Sequence, residues 1–217
     1  MLKFKLMTDK DIHLCPLCNS SSKNFCNQHF YLCSVCDGIF RPRADLLGFV
    51  AEKKRYETHN NDVNDARYQN FVSPITNAIL KEYSKNESGL DFGAGTGPVI
   101  SKILIDHGYK IKKYDPFFHN FIELLNDKYD YITCCEVIEH FYNPKKEFLL
   151  LKNLLKPKGA LFCMTAIYDD SINFDKWYYK DDPTHVFIYQ KETIKWIQNN
   201  IGFSKVIVKN KLIKFYL

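Results

Sequence analysis

An α/β fold with a mostly parallel sheet is predicted for this 217-residue chain by three observations. Strand-like and helix-like segments alternate from residue 89 onward, a glycine-rich turn follows the first of those strands, and the last two strands lie too close together for a helix between them. Alternation of this kind sets strands side by side in parallel with helices on both faces, and the final pair closes the sheet as an antiparallel hairpin. Composition agrees, because 46% hydrophobic and 25% charged residues suit a folded core and exclude a disordered chain. The longest apolar runs, Phe148 to Leu151 and Ala160 to Met164, fall far short of the ~18 residues that a spanning helix needs. Met1 to Lys10 carries no apolar stretch of secretory type, so a cytoplasmic location is expected.

The N-terminal 44 residues read differently. Five of the eight cysteines fall within the first 36 residues, and Cys15, Cys18, Cys33 and Cys36 form two Cys-x2-Cys knuckles separated by 14 residues. Each knuckle turns two thiolates toward a common tetrahedral centre, which predicts a small ribbon over residues 1–44 built around one structural Zn2+. Cys26 and His29 between the knuckles are the alternative ligands. Residues 45–88 read as a helical connector and lid, with Leu46, Leu47, Phe49 and Val50, then Tyr68, Phe71 and Val72, at helical spacing. Ser73-Pro74 reads there as the cap and first turn of a helix carrying Ile75, Ile79, Leu80 and Tyr83. Between the two halves sits Arg55-Tyr56-Glu57-Thr58-His59-Asn60-Asn61-Asp62, too polar to pack a core.

Residues 89–217 supply the α/β part. A strand through Leu90 leads to a helix over Val99 to His107, a strand Tyr109 to Tyr114, a strand Tyr129 to Cys135 and a helix from Asn143-Pro144 to Leu155. A turn at Pro157-Lys-Gly159, a strand Ala160 to Ala166, a polar loop to Gln190, a helix Lys191 to Asn200 and strands Phe203 to Val208 and Leu212 to Leu217 complete it. Net charge is +5, yet residues 191–217 alone hold 6 basic and 1 acidic side chains, leaving the middle of the chain slightly acidic. That distribution weighs against a nucleic-acid partner, which usually meets a basic face.

Asp91-Phe-Gly93-Ala94-Gly95-Thr96-Gly97 follows an apolar strand and opens a helix, so its backbone can approach a ligand closely at the strand's carboxyl end. Its Gly-x-Gly-x-Gly spacing differs from the Gly-x-Gly-x-x-Gly of dinucleotide loops, and no Lys-Ser or Lys-Thr follows to make a phosphate-cradling loop. Asp115, twenty residues past Gly95 at the end of the second strand, is placed to accept the hydroxyls of a ribose. With these motifs, Tyr131 to Phe141 and Leu155-Lys-Pro-Lys-Gly159, in this order, the chain resembles a class I S-adenosylmethionine-dependent methyltransferase. The resemblance implies a Rossmann-like fold, S-adenosylmethionine as cofactor, and cofactor contacts from Asp91, Gly93, Ala94, Gly95, Thr96, Gly97, Asp115, Pro116, Cys135 and Glu136. A zinc ribbon followed by Arg-Tyr-x-x-His-Asn-Asn is similar to a bacterial subgroup of these enzymes, which implies that Tyr56, His59 and Asn60 help close the cofactor pocket. One departure is plain: 12 residues between Pro116 and Tyr129 leave too little chain for the usual third helix and strand, so Phe117 and Phe118 are the expected apolar wall.

Methyl transfer from a sulfonium is an in-line displacement that needs positioning and, for some acceptors, a base. His185, in Asp181-Asp-Pro-Thr-His185, and His140, just past the fourth strand, are the catalytic candidates, with Asp181 or Asp182 expected to orient His185. Cys-Cys-Glu ends the fourth strand where enzymes acting on nucleobase amines carry Asn-Pro-Pro-Tyr or Asp-Pro-Pro-Tyr, which disfavours a base amine. Residues 168–182 mix Asp169, Asp170, Asp175, Asp181 and Asp182 with Phe174, Trp177, Tyr178 and Tyr179. That loop suits a polar, cationic or sugar-like small-molecule acceptor. A ribosomal-RNA base methyltransferase and a non-catalytic cofactor-binding protein are the alternatives, and the acceptor's identity and the oligomeric state stay open.

Overall fold

The computed structural model describes residues 13–26, 29–59 and 61–217, so the expectation on Met1 to Lys10 lies outside the described residues. The main sheet has six strands: β4 (Ser88–Phe92), β5 (Lys110–Tyr114), β6 (Tyr129–Cys135), β7 (Leu155–Met164), β9 (Lys205–Lys209) and β10 (Leu212–Tyr216). Their order is β5-β4-β6-β7-β10-β9, parallel through β7 and antiparallel from β7 to β10 and β10 to β9. The predicted class and closing hairpin are therefore present. Between β5 and β6 the chain makes only a 3-10 turn at Ile122–Asn126, so no third strand follows and β5 is a sheet edge.

Period-two alternation along the central strands assigns each face its cover. Tyr131, Ala160, Phe162 and Met164 pack against Val72, Ile75 and Ile79 of α2 (Ala66–Glu82) and Val99, Ile100 and Leu104 of α3 (Val99–Asp106). Ile132, Cys134, Leu161 and Cys163 pack on the other face with Phe148, Leu151 and Leu154 of α4 (Pro144–Leu154) and Ile194 and Ile197 of α5 (Lys191–Ile197). Cys15, Leu17, Cys33, Cys36 and Phe40 of the ribbon join that second core.

A smaller sheet carries the ribbon. β1 (Ser22–Phe25), β2 (Phe30–Cys33) and β3 (Ile39–Phe40) run antiparallel, and β3 then pairs with β8 (Phe187–Ile188), a strand from the far end of the chain. Sequence patterning treats residues 167–190 as a polar loop, because a two-residue strand has no period to detect. Three other expectations need correction. α2 begins at Ala66, N-capped by the Asp65 carboxylate accepting from the Arg67 N–H, so Ser73-Pro74 lies inside it. Burial of Val72, Ile75 and Ile79 along one stripe outweighs the hydrogen bond that Pro74 removes. In α1 (Phe49–Glu57) the apolar Phe49 and Val50 point outward, and β7 starts at Leu155, with Pro157-Lys-Gly159 absorbed as an irregularity in its pairing with β6. Among the described residues no helix is long and apolar enough to cross a membrane.

Asp91 fastens three elements from inside: its carboxylate accepts from Thr133 Oγ1 on β6 and Ser101 Oγ on α3, both at 2.8 Å. Burial raises its pKa, with the two hydroxyl bonds opposing. A raised carboxyl pKa in the folded state means that the fold keeps this proton to higher pH than the unfolded chain does. Stability from this group therefore falls as pH rises from the unfolded value. Asp91→Asn removes that loss, so urea midpoints at pH 4 and pH 7 should show the difference between variant and wild type moving in the variant's favour at the higher pH.

Candidate active site

A cavity of about 440 Å³ opens at the carboxyl ends of β4, β5 and β6, where a parallel sheet leaves a crevice for ligands. Gly93, Ala94, Gly95, Thr96, Asp115, Pro116, Cys135 and Glu136 all line it. Gly95 has φ +60° and its Cβ position faces open space, so this residue keeps the loop's left-handed turn and leaves room beside it. Its N–H donates to Asp115 Oδ2 at 2.9 Å, while Oδ1 accepts from the N–H groups of Phe117 and Phe118. The acidic residue thus bridges the two strand ends, and Phe117 and Phe118 stand on the cavity wall.

Two expected cofactor contacts sit elsewhere. Asp91 lies beneath the loop in the interior, committed to Ser101 and Thr133, and does not line the cavity. Gly97 also stands outside it, pressed against the connector: a Cβ there would lie 1.9 Å from the carbonyl oxygen of Asn61. The third glycine is therefore a close-approach position for Asn61. Tyr56 and His59 do reach the cavity, and Asn60 lies outside the described residues. Tyr56 donates its hydroxyl proton to the buried Glu52 at 2.8 Å and sets its ring 5.3 Å from both Phe117 and His140, joining the two ends of the cavity.

The other end gathers groups from β6, β7 and the loop after it. Glu136, at φ +50° just past β6, and Glu139, fully buried in the 3-10 turn Ile138–His140, face the Tyr179 hydroxyl. That hydroxyl donates to Glu139 Oε1 at 2.5 Å and lies 2.9 Å from Thr165 Oγ1 and 3.4 Å from Glu136 Oε2. Burial pushes both carboxyls up, the facing Glu139 adding to the effect on Glu136. Glu136 Oε1 and Glu139 Oε2 are buried with no hydrogen-bond partner among the described residues. His140 and His185, with ring centroids 4.9 Å apart, are both held down at about 4 by burial, so both are neutral at physiological pH.

His185 is oriented differently from expectation. Its Nδ1 is 2.6 Å from the Tyr179 carbonyl, whereas Asp182 accepts from Thr184 and takes the Arg55 guanidinium at 2.5 Å. Burial opposes charge on Asp182, but the Thr184 bonds, the nearby His185 and Arg55 outweigh it and hold its pKa at about 2. Of residues 168–182, only Tyr178, Tyr179 and Asp182 line the cavity. Phe174 packs edge-on against Phe25 and Phe30 of the ribbon, Asp175 takes the Cys26 thiol, and Asp181 pairs with Lys180, so most of the acidic aromatic loop serves docking. Sequence reading passes over Glu139 as a site residue and places Tyr179 only within the acceptor loop, because the two meet from positions 40 residues apart.

Arg41 holds that loop in place. Its Nη2 donates to the Lys180 carbonyl at 2.6 Å and the Asp182 carbonyl at 3.4 Å, and its Nε to the His185 carbonyl at 3.2 Å. The backbone continues the stitch, Arg41 N–H to Val186 O and Val186 N–H to Glu139 O, each 2.9 Å. Behind it the thiols of Cys15, Cys18, Cys33 and Cys36 lie within 4.8 Å of one another. The Cys15–Cys36 and Cys18–Cys33 sulfur separations are 3.6 and 3.2 Å, far beyond a disulfide and suited to four ligands around one tetrahedral centre. Cys26, turned to Asp175, is outside this group.

A glycine turn under a crevice at the strand ends, an acidic residue closing the second strand and a lid from upstream define a class I S-adenosylmethionine-dependent methyltransferase. The chain belongs to the Methyltransferase domain family, whose model matches residues 65–208. Among solved structures, a SAM-dependent methyltransferase from Archaeoglobus fulgidus aligns at 18% identity and TM-score 0.50, over 73% of this chain and 76% of that one. PigF with SAH aligns at 10% identity and TM-score 0.50, over 80% and 66%. An O-methyltransferase family protein from Burkholderia thailandensis aligns at 12% identity and TM-score 0.49 over 76% of this chain, which spans 61% of its length. These likenesses concern the fold. No curated protein matches the chain.

Arg41→Ala should strip three loop carbonyls of a shared donor and lower the unfolding free energy by roughly 1–3 kcal/mol. Limited proteolysis should then cut residues 176–186 faster than in wild type, and Arg41→Lys should not restore protection, because an ammonium lacks the planar fork. Unchanged cutting in the alanine variant would remove the clamp role.

Proposed function

We propose that this chain transfers the methyl group of S-adenosylmethionine to a small-molecule acceptor bound beside His140 and His185. The observation that carries this reading is the division of one cavity into two chemically different ends. Phe117, Phe118 and Asp115 make the end suited to an adenosine, apolar faces for the base and a carboxylate for the ribose. The residues Gly93, Ala94, Gly95 and Thr96 line the middle for the amino-acid portion, with Cys135 and Glu136 opposite. His140 and His185 make the acceptor end, each with one ring nitrogen tied to a carbonyl and the other left to meet an acceptor hydroxyl or amine. A cavity of about 440 Å³ lined by Tyr56, His59 and Tyr179 favours a small molecule over a nucleic acid.

Asp115→Ala should weaken binding of the cofactor and of its demethylated product by about 10- to 100-fold, since hydrogen bonds to a charged group are worth ≈ 1.5–3 kcal/mol. Calorimetry reads this directly. Incubation of the chain with methyl-labelled cofactor and fractionated cell extract should place label in the small-molecule fraction. Label in RNA alone, or none in any fraction despite cofactor binding, would overturn the acceptor class or the enzymatic reading respectively.

The four-thiolate group supports a structural zinc that lets residues 13–44 fold on a small apolar core. Metal analysis of the purified chain is expected to give near one zinc per chain. A Cys18→Ser, Cys36→Ser double variant should lose the metal and, through β3 and β8, loosen the loop that bears His185; stoichiometric zinc in that variant would refute the assignment.

A further inference from the structure

We propose that Glu139, His140 and His185 bind a divalent transition-metal cation at the acceptor end of the cavity. One ligand atom from each of the three lies within 4.8 Å of those of the others. A carbonyl oxygen can only accept, so the 2.8 Å contact of His140 Nδ1 with the Thr184 carbonyl and the 2.6 Å contact of His185 Nδ1 with the Tyr179 carbonyl each put the proton on Nδ1. Each Nε2 then carries a free lone pair, and neither makes a hydrogen bond among the described residues. Backbone carbonyls binding the far nitrogen of a ligating imidazole fix its tautomer and aim it. Glu139 is fully buried, with Oε1 held by Tyr179, while Oε2 faces the Glu136 carboxyl and finds no hydrogen-bond donor among the described residues. A buried carboxylate oxygen left unpaired costs free energy that a cation would recover.

The three ligands are also held rigidly. Glu139 and His140 adjoin in the 3-10 turn after β6, and His185 is pinned by Arg41 through its carbonyl. The Val186 N–H to the Glu139 carbonyl, 2.9 Å, ties the two segments together. Two imidazoles and one carboxylate suit Mn2+, Fe2+, Co2+ or Zn2+, whereas Ca2+ and Mg2+ prefer oxygen-only shells. The thiolate group of the ribbon is a separate site of softer chemistry.

This deepens the proposed methyl transfer and rests on it: a three-ligand cation keeps open positions, and an oxygen acceptor fills one. An acceptor hydroxyl bound there loses its proton to water more readily. The oxygen lone pair then forms the new O–C bond as the C–S bond breaks with its electron pair on sulfur. The sulfonium becomes a neutral thioether, one proton is released and the metal's oxidation state does not change.

The test uses the full chain with its zinc in place, titrated with Mn2+ while free Mn2+ is read by electron paramagnetic resonance. About one Mn2+ per chain should bind, and pulsed spectra of the bound ion should show coupling to imidazole nitrogen. Glu139→Gln and His185→Gln should each weaken Mn2+ binding by more than about tenfold, while the demethylated cofactor still raises the melting temperature, which shows that the variants fold. A wild-type chain that binds the demethylated cofactor but no Mn2+, or binds Mn2+ without nitrogen coupling or with unchanged affinity in both variants, overturns the cation site and leaves methyl transfer standing. Failure to bind the demethylated cofactor at all overturns the methyltransferase reading on which the site rests.

Discussion

The end of the cavity that bears His140 and His185 hangs from the join between the ribbon and the main domain. Arg41 donates to three carbonyls of residues 180–185, and the backbone runs on from Arg41 through Val186 to Glu139. A loop of more than twenty residues after β7 would otherwise have many conformations, and fixing each residue costs roughly 1–2 kcal/mol. The β3–β8 pairing and the aromatic contacts of Phe174 with Phe25 and Phe30 offset that cost through contacts made by the ribbon. The thiolate cluster is thus connected to the cavity through the backbone, although its sulfurs do not line it.

Desolvation is the second organising effect. Burial lowers the two histidines and raises the two carboxyls, so it works against charge on all four side chains at this end of the cavity. Charge is kept at the cavity's margin, where Arg55 of the connector pairs with Asp182 of the loop. An arrangement of this kind strengthens any charge that a ligand brings, because the surrounding dielectric is low.

The parts legible in the sequence are those with local periodicity or fixed spacing. The strand at residues 129–135, the helix capped by Asn143 with Pro144 at its start, the glycine turn and the paired knuckles each declare themselves within a few residues. Asp115 and Phe117 were reachable because strand ends are where ligands gather. Illegible were contacts between segments over a hundred residues apart: β8 is too short to show a pattern, and Arg41 reaches residues 139 to 144 positions away. Asp91 and Gly97 misled for a related reason. Motif spacing gives a residue's address in the turn, not the direction of its carboxylate or the neighbour that crowds its Cα.

The missing third strand has a consequence for how copies of this molecule meet. Without it β5 ends the sheet on one side and β9 on the other among the described residues, so each presents there a row of backbone N–H and C=O groups with no strand beside it. β5 reads Lys-Ile-Lys-Lys-Tyr and β9 reads Lys-Val-Ile-Val-Lys. Lysines at both margins make the addition of a neighbour's strand electrostatically unfavourable, and edge charges are a common guard against such stacking. The short connection from β5 to β6 thereby leaves lysines on the strand to which a neighbour's edge would add.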